Sequence, residues 1–179
     1  MAPEPHSSEE HRGTTTWDFE NLVNIYYQPL YQFAMSLTRS EAEASDLTQQ
    51  TFYIWARKGH QLRDPSKVKT WLYTTLHREF LKSCRRRARY PECDLSDADP
   101  DLPTTAPATG EHLDAATVLE ALGQIEEAYR APLVLFYLED LPYREISVIL
   151  NIPMGTVQSR IARGKARLQQ YLLRKDRRG

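Results

Sequence analysis

Apolar side chains recur at spacings of three and four along most of the chain, which is the period of an amphipathic helix. No run alternates with period two between hairpin turns, so strands are not expected. The pattern predicts an all-α protein whose N-terminal part is a bundle of three or four helices. Three stripes carry this prediction: Phe19, Leu22, Val23, Tyr26, Leu30, Phe33, Ala34 and Leu37; Ala44, Leu47, Thr51, Ile54 and Trp55; and Val68, Trp71, Leu72, Thr75, Leu76 and Phe80.

Two prolines modify the predicted helices. Pro29 lies inside the first stripe and has no N–H to donate, so we expect that helix to kink or break there. Residues 133–138 predict a later helix with Pro132 at a first-turn position. A further helix is predicted before it from Ala115, Val118, Leu119, Leu122 and Ile125.

Two polar segments divide the chain of 179 residues. Residues 1–16 and 90–112 have too few large apolar side chains to offset the entropy of ordering. From Tyr90 to Ala115 there are seven acidic residues and no basic one. We therefore predict a disordered tail (1–16), a helical domain (17–89), a flexible acidic linker (90–112), a second helical domain (113–175) and a short C-terminal tail (176–179).

Charge is balanced over the whole chain, with 23 Lys and Arg against 24 Asp and Glu, but it is segregated along it. Arg63 to Arg89 contains nine basic and two acidic residues, and Gln158 to Gly179 contains eight basic and one acidic. Two basic blocks are thus separated by an acidic one, so any preference for a charged partner depends on the local sign of the charge and not on the total.

Several other classes of function find no support in the sequence. No apolar run approaches a membrane span and the N-terminus lacks a signal peptide, so we expect a cytoplasmic protein without membrane insertion. Cys84 and Cys93 have no further ligands at metal-binding spacing, which favours reduced thiols over a redox switch and predicts no metal site. Neither HExxH, P-loop nor GxSxG motifs occur, so no enzyme activity and no cofactor is predicted.

Residues 142–170 predict a helix-turn-helix unit. Its inner positions are Ile146, Ile149 and Leu150 on the first helix and Val157, Ile161 and Leu168 on the second, with Asn151 and Ile152 in the turn and Pro153 before the second helix. A helix fits the DNA major groove, where its first turn meets base edges and later basic residues meet phosphates. The alternative is a solvated basic face on an ordinary helical hairpin. The outward positions are Thr156, Gln158, Ser159, Arg160, Arg163, Lys165 and Arg167.

The segment IPMGTVQSRIARGKARL and the helices before it resemble region 4 of the extracytoplasmic-function (ECF) class of bacterial sigma-70 factors. LVNIYYQPLYQFAMSLTRSEAEASDLTQQTFYIWA resembles regions 2.1 and 2.2 of that class, and KTWLYTTLHREFLKSCRRRAR resembles regions 2.3 and 2.4. The resemblance spans residues 18–175. It implies a region 2 bundle and a region 4 helix-turn-helix, and an alternative sigma factor that directs core RNA polymerase to promoters.

The resemblance also implies site residues. The outward positions 156–167 would bind duplex minus-35 DNA. Melted minus-10 DNA needs cations for its backbone and a pocket for an unstacked base. The implied pocket residues are His60, Leu62, Arg63 and Lys67, and the implied backbone and base contacts are Lys69, Trp71, Tyr73, Arg78, Lys82, Arg85, Arg86 and Arg87. Two alternatives stay open here: Trp71 as a core anchor, and residues 85–89 as a generic phosphate-binding run.

The implied partners are core RNA polymerase, through the beta-prime clamp helices and the beta flap, promoter DNA, and an anti-sigma factor. The polymerase contacts would be Asp46, Leu47, Gln49, Gln50, Phe52 and Trp55. The alternative is that the three large apolar members of this set are core residues, which for Leu47 fits about as well, so the polar Asp46 and Gln49 are favoured as contacts. The acidic linker would run through the polymerase cleft, or serve only as a solvated spacer.

Three residues depart from the family pattern. Gln50 stands where a Glu is usual, Arg78 where an Asn is frequent, and Pro142 where Ser or Thr caps the first helix of the helix-turn-helix. Gln158, often basic in the family, would favour adenine through a bidentate amide contact. A conventional helix-turn-helix regulator is the main alternative function, but it leaves residues 18–89 without a role.

Overall fold

The computed structural model describes residues 18–89 and 120–176, with side chains up to residue 174. The predicted N-terminal tail, the linker, Cys93, the start of the second predicted domain and the last three residues lie outside these ranges. Within them the chain forms α-helices, two short 3₁₀ turns and no strand, which confirms the all-α prediction. The helices are α1 (Phe19–Thr38), α2 (Glu41–Lys58), α3 (Val68–Arg89), α4 (Glu127–Tyr137), α5 (Tyr143–Leu150) and α6 (Met154–Asp176), and residues 120–123 are also helical.

The N-terminal bundle consists of α1, α2 and α3. Arg39 ends α1 in the left-handed conformation at φ 60°, where its N–H donates to the Met35 carbonyl at 2.9 Å. Ser40 then caps α2 by accepting a hydrogen bond from the Glu43 N–H at 3.4 Å. This two-residue connection turns the chain back on itself, so that α1 and α2 pack side by side.

Helix α1 continues through Pro29, so the expected break does not occur. A proline inside a helix removes one hydrogen bond, with the carbonyl four residues earlier, which is that of Ile25. Leu22, Leu30 and Phe33 are fully buried on the two sides of the proline. Their packing holds the two halves of α1 in one helix.

Pro132 is the sixth residue of α4, so its predicted first-turn position is wrong. The helix begins earlier because Arg130 is buried there and its guanidinium donates to the carbonyls of Gly123 and Ile125 at 3.3 and 3.2 Å. This contact ties the first turn of α4 to the segment before it.

The C-terminal bundle consists of α4, α5 and α6, which all contact one another. Its interior contains Leu133, Leu135, Ile146, Ile149 and Val157, each with at most 2% of its surface exposed. The apolar periodicity that predicted these helices is therefore the periodicity of their buried faces.

The two bundles pack against each other. Helix α3 contacts α5, and α1 contacts α4. The buried apolar side chains of both bundles form one continuous cluster. The surface of α3 that faces the C-terminal bundle is consequently shielded from solvent.

Candidate nucleic-acid interface

The helix-turn-helix consists of α5, the turn at Asn151 to Pro153, and α6. Asn151 adopts the left-handed conformation at φ 53°, and the Ser147 hydroxyl donates to the Ile152 carbonyl at 2.6 Å. The Pro153 carbonyl accepts from the N–H groups of Thr156 and Val157 at 2.9 and 3.1 Å, which starts α6. The turn is thus closed by hydrogen bonds that hold the start of α6 in place.

Pro142 occupies the cap position of α5 without a side-chain cap. Its carbonyl accepts from the N–H groups of Glu145 and Ile146 at 2.9 and 3.1 Å. Only backbone hydrogen bonds stabilise the first turn of this helix, at a position where the family pattern has a capping Ser or Thr.

The residues predicted to face inward in the helix-turn-helix are buried, except that Leu168 is half-buried. On the outward side Thr156 and Arg160 are partly buried, and Gln158, Ser159, Arg163 and Lys165 are exposed. The Ser159 hydroxyl donates to the Thr156 carbonyl at 3.1 Å. One polar face thereby runs along the first three turns of α6.

The cationic side chains on this face differ in whether they already form an ion pair within the protein. Among the described residues Arg160, Arg163 and Lys165 form no ion pair. Arg167 instead donates to Glu126 at 2.5 Å and lies over the Tyr129 ring at 4.3 Å. The hydrogen bond to Glu126 raises the pKa of Arg167. The first three of these cations are therefore available to phosphates, and the fourth is held against α4.

A loop before α3 presents a second basic surface. His60, Arg63 and Lys67 are exposed there, and Leu62 is half-buried. The Asp64 carboxylate accepts from the Ser66 N–H and hydroxyl at 2.9 and 2.7 Å, and these bonds lower the pKa of Asp64. This turn fixes the path of the loop into α3.

The basic residues of α3 divide into free and engaged groups. Arg78 and Arg86 are exposed and make no ion pair within residues 18–89 or 120–174. Lys82 contacts Glu79 at 2.6 Å, and Arg85 donates to the Leu81 carbonyl at 3.2 Å. Arg87 donates to Glu43 of α2 at 2.5 Å, a bond that raises its pKa.

Three residues expected to contact DNA are turned into the protein. Tyr73 has no exposed surface, and its ring packs on Phe33 at 5.4 Å between centroids. Lys69 donates to the Glu139 backbone carbonyl at 2.6 Å. Trp71 is partly buried and meets Trp55 edge-on at 5.0 Å. In this conformation Tyr73 is not accessible to DNA, because α3 packs against the C-terminal bundle as well as against α1 and α2.

On α2, Asp46, Gln49 and Gln50 are exposed, whereas Leu47, Phe52 and Trp55 are buried. The apolar members of the predicted polymerase surface therefore belong to the core of the N-terminal bundle. Asp46 and Gln50 line an open groove between α2 and α3 together with Arg86.

Sequence reasoning missed Thr70, Glu139 and Glu145, which join the two bundles. Thr70 and Glu139 are buried and Glu145 is partly buried. The sequence offered one weak signal, two carboxylates of which one lies shortly before α5 and the other in its first turn. No pattern in the sequence indicated that these two carboxylates contact Lys69 and Thr70, which lie 70 and 75 positions earlier.

In the described part of the chain no group of three or more His, Cys, Asp or Glu side chains has the arrangement of a metal site. None of the described helices is long and apolar enough to cross a membrane.

Comparison with known proteins gives the same division of the chain. The family pattern described as Sigma-70 region 2 matches residues 22–90, and that described as Sigma-70, region 4 matches residues 115–168. The ECF RNA polymerase sigma factor SigE of Mycolicibacterium smegmatis is 31% identical over 184 aligned positions, covering 92% of this chain and 69% of that protein. SigM of Bacillus subtilis is 29% identical, covering 84% of this chain and 92% of that protein.

A solved structure is similar over most of the described chain. It is the sigma factor RpoE from Bartonella quintana in complex with the anti-sigma factor NepR, with a TM-score of 0.71, 28% identity and coverage of 87% of this chain and 96% of that one. The alignments with these relatives extend over most of the chain, and the region 2 match precedes the region 4 match. The chain therefore belongs to the extracytoplasmic-function group of the sigma-70 family of RNA polymerase sigma factors.

Proposed function

We propose that the protein is an alternative sigma factor that binds core RNA polymerase and directs it to promoters through two DNA contacts. The outward face of α6 binds duplex minus-35 DNA, and the loop and basic face at residues 60–87 bind melted minus-10 DNA. The observation that carries this proposal is the row of cations on α6 that form no ion pair with any described residue, directly after a helix-turn-helix whose turn is closed by hydrogen bonds.

The geometry of α6 suits the major groove. A helix is about 10–12 Å across and the groove is about 12 Å wide. Gln158 lies in the first turns of α6 and would reach base edges, while Arg163 and Lys165 lie further along and would meet phosphates. Arg167, which is bound to Glu126, would contribute less than the other cations.

For the minus-10 element the exposed cations Arg63, Arg78 and Arg86 would follow the backbone of the single strand. The partly buried Leu62 and the exposed His60 on the fixed loop would flank an unstacked base. The predicted domain at residues 17–89 would thus bind the minus-10 element, and the predicted domain at residues 113–175 would bind the minus-35 element.

Polymerase contact would come from the exposed polar side chains of α2, Asp46, Gln49 and Gln50. The factor would direct the polymerase and catalyse no reaction itself, and it would act in the cytoplasm. The similarity to a sigma factor bound to an anti-sigma factor supports an anti-sigma partner for this chain.

Transcription in vitro tests the proposal. The full chain is added to sigma-free core polymerase on a pool of genomic promoter fragments, and transcript starts are sequenced. Discrete starts with shared minus-35 and minus-10 elements are expected. Binding to duplex DNA without binding to core polymerase would replace the proposal with a conventional helix-turn-helix regulator.

Arg163→Ala separates the two DNA contacts within this assay. We expect weaker transcription from minus-35-dependent promoters and a shallower salt dependence of duplex binding, whose slope falls by about 0.9 because one phosphate is no longer neutralised. Core binding should be unchanged. Gln170→Ala, an exposed position on the same helix, is the matched control. Loss of core binding in Arg163→Ala would contradict the assignment.

A further inference from the structure

Tyr129 of α4 packs against two neighbouring positions on one face of α6. Its ring lies under the Arg167 guanidinium, whose carbon is 4.3 Å from the ring centroid. Its Cβ would be 3.3 Å from a Cβ placed on Gly164. Gly164 and Arg167 are three positions apart, and residues at this spacing are neighbours on a helix surface. We call this arrangement of three residues the Tyr129 contact.

Glu126, the residue before α4, engages the Arg167 guanidinium as a second partner. Its carboxylate accepts a hydrogen bond from Arg167 at 2.5 Å, and its backbone carbonyl accepts one from the Tyr129 N–H at 3.0 Å. The ring and the carboxylate that hold Arg167 therefore belong to the same turn of the chain. The guanidinium would have to give up a cation–π contact and a charge-assisted hydrogen bond before it could reach a phosphate.

The direction of α6 depends on contacts at two places. The first is the turn of the helix-turn-helix, where the Pro153 carbonyl accepts from the first N–H groups of the helix. The second is the Tyr129 contact, which begins at Gly164, about 16 Å further on at a rise of about 1.5 Å per residue. The outward face from Thr156 to Arg163 lies between these two places. A tilt of about 10° about the turn would move the far place by about 3 Å, which is enough to break hydrogen bonds to DNA.

We infer that Tyr129 and Arg167 are positioning residues for duplex recognition: the Tyr129 contact sets the direction of α6, and Arg167 acts through α4 and not on a phosphate. The inference rests on the proposed minus-35 role of α6. It assigns different roles to two neighbouring cations, because Arg163 forms no ion pair with any described residue and stays available to DNA. An exposed cation–π contact changes an equilibrium by about two- to fivefold, so loss of the ring should weaken sequence-specific binding by that factor.

Fluorescence anisotropy with two short labelled duplexes tests the inference. The minus-35 duplex carries that element from the promoter with the most starts in the transcription assay, and the scrambled duplex carries the same bases in another order. Tyr129→Leu removes the ring but keeps the Cβ beside Gly164. It should bind the minus-35 duplex about two- to fivefold more weakly and the scrambled duplex as before, because non-specific binding depends on charge and not on the direction of α6.

Tyr129→Phe is the matched control because it keeps the ring. It should bind both duplexes as the unmodified chain does. An unchanged affinity of Tyr129→Leu for the minus-35 duplex, or an equal loss on both duplexes, would overturn the inference.

Glu126→Ala gives opposite results for a positioning role and for a direct phosphate contact of Arg167. If the released Arg167 bound a phosphate, duplex binding would become tighter and its salt slope steeper by about 0.9. The positioning role instead predicts weaker binding to the minus-35 duplex with an unchanged slope. Glu127→Ala removes the same charge from the next exposed position and is the control. A steeper slope in Glu126→Ala than in Glu127→Ala would contradict the positioning role.

Amide hydrogen exchange on the full chain tests the Tyr129 contact without DNA. If this contact fixes the far part of α6, the N–H groups of residues 165–174 should exchange about two- to fivefold faster in Tyr129→Leu than in the unmodified chain. Tyr129→Phe should exchange at the original rate. Mass spectrometry of peptides from this segment measures the rates, and equal rates in Tyr129→Leu and the unmodified chain would reject the inference.

The transcription assay distinguishes the failure of the two proposals. Discrete promoter starts, together with the same preference for the minus-35 duplex in Tyr129→Leu and the unmodified chain, would leave the sigma function intact and reject the positioning role. If no starts appeared with core polymerase and the chain bound duplexes without sequence preference, both proposals would be wrong.

Discussion

Gly164 of α6 lies directly against Leu133 of α4: a Cβ added to Gly164 would be 2.7 Å from the Leu133 Cδ1 and 3.3 Å from the Tyr129 Cβ. Gly164 is buried in the middle of α6. The absence of a side chain at this position is what lets α6 approach α4 closely enough to close the C-terminal bundle.

Gly164→Ala should therefore destabilise the protein. Overpacking typically costs about 1–3 kcal/mol, and the better helix propensity of Ala offsets about 1 kcal/mol at most. The free energy of unfolding, from urea titration followed by far-UV circular dichroism, measures the net effect. Gly155→Ala is the control on the same helix, because a Cβ there meets nothing within 4 Å. Equal stability of the two variants would contradict the close approach.

Gln158 supplies a prediction about base preference. The side chain is exposed in the first turns of α6, and an amide pairs best with adenine whereas a guanidinium pairs best with guanine. Gln158→Arg should change one position of the minus-35 element from adenine to guanine, by about 1–3 kcal/mol of discrimination. Transcription from promoters randomised across that element measures it. Gln169→Arg adds the same charge further along α6 and should leave the base preference as it was.

The neighbouring residues Arg86 and Arg87 should differ in their contribution to single-stranded DNA binding. Arg86 is exposed without an ion pair within the described ranges, whereas Arg87 is bound to Glu43. Arg86→Ala should lower the salt slope of binding by about 0.7, the value for one phosphate contact on a single strand. Arg87→Ala should change it less. Glu43→Gln, which releases Arg87, should strengthen binding, and a weaker complex would contradict the assignment.

Sequence reasoning located the helices and the outward face of α6 because each depends on a repeat of apolar positions within one element. Pro132 was misplaced because Arg130 begins α4 early through contacts with Gly123 and Ile125. Tyr73 was assigned to DNA although it is buried, because α3 is covered on a second side by α5. Contacts between segments that are far apart in the sequence, such as Thr70 with Glu145, produce no periodic pattern of residues. The burial of Tyr73 and the start of α4 therefore became apparent only in the structure.

His77 gives the packed arrangement a pH dependence. The ring is buried between the bundles, and burial lowers its pKa because the imidazolium loses its hydration, although the hydrogen bond with Ile149 opposes this. A lowered pKa means that the folded state binds the proton less well than the unfolded chain. The contribution of His77 is therefore complete above the unfolded value of about 6.5 and is lost as the pH falls below it, by up to about 1.4 kcal/mol per pH unit.

Urea unfolding at pH 7.5 and pH 5.5 measures this loss. His77→Gln keeps a hydrogen-bond donor but cannot take up a proton, so its free energy of unfolding should fall less between the two pH values than that of the unmodified chain. His60→Gln, at an exposed position of the N-terminal bundle, should retain the original pH dependence. The comparison uses the change with pH in each variant, so a constant loss of stability from the substitution does not affect it. An unchanged pH dependence in His77→Gln would assign the acid sensitivity to other groups.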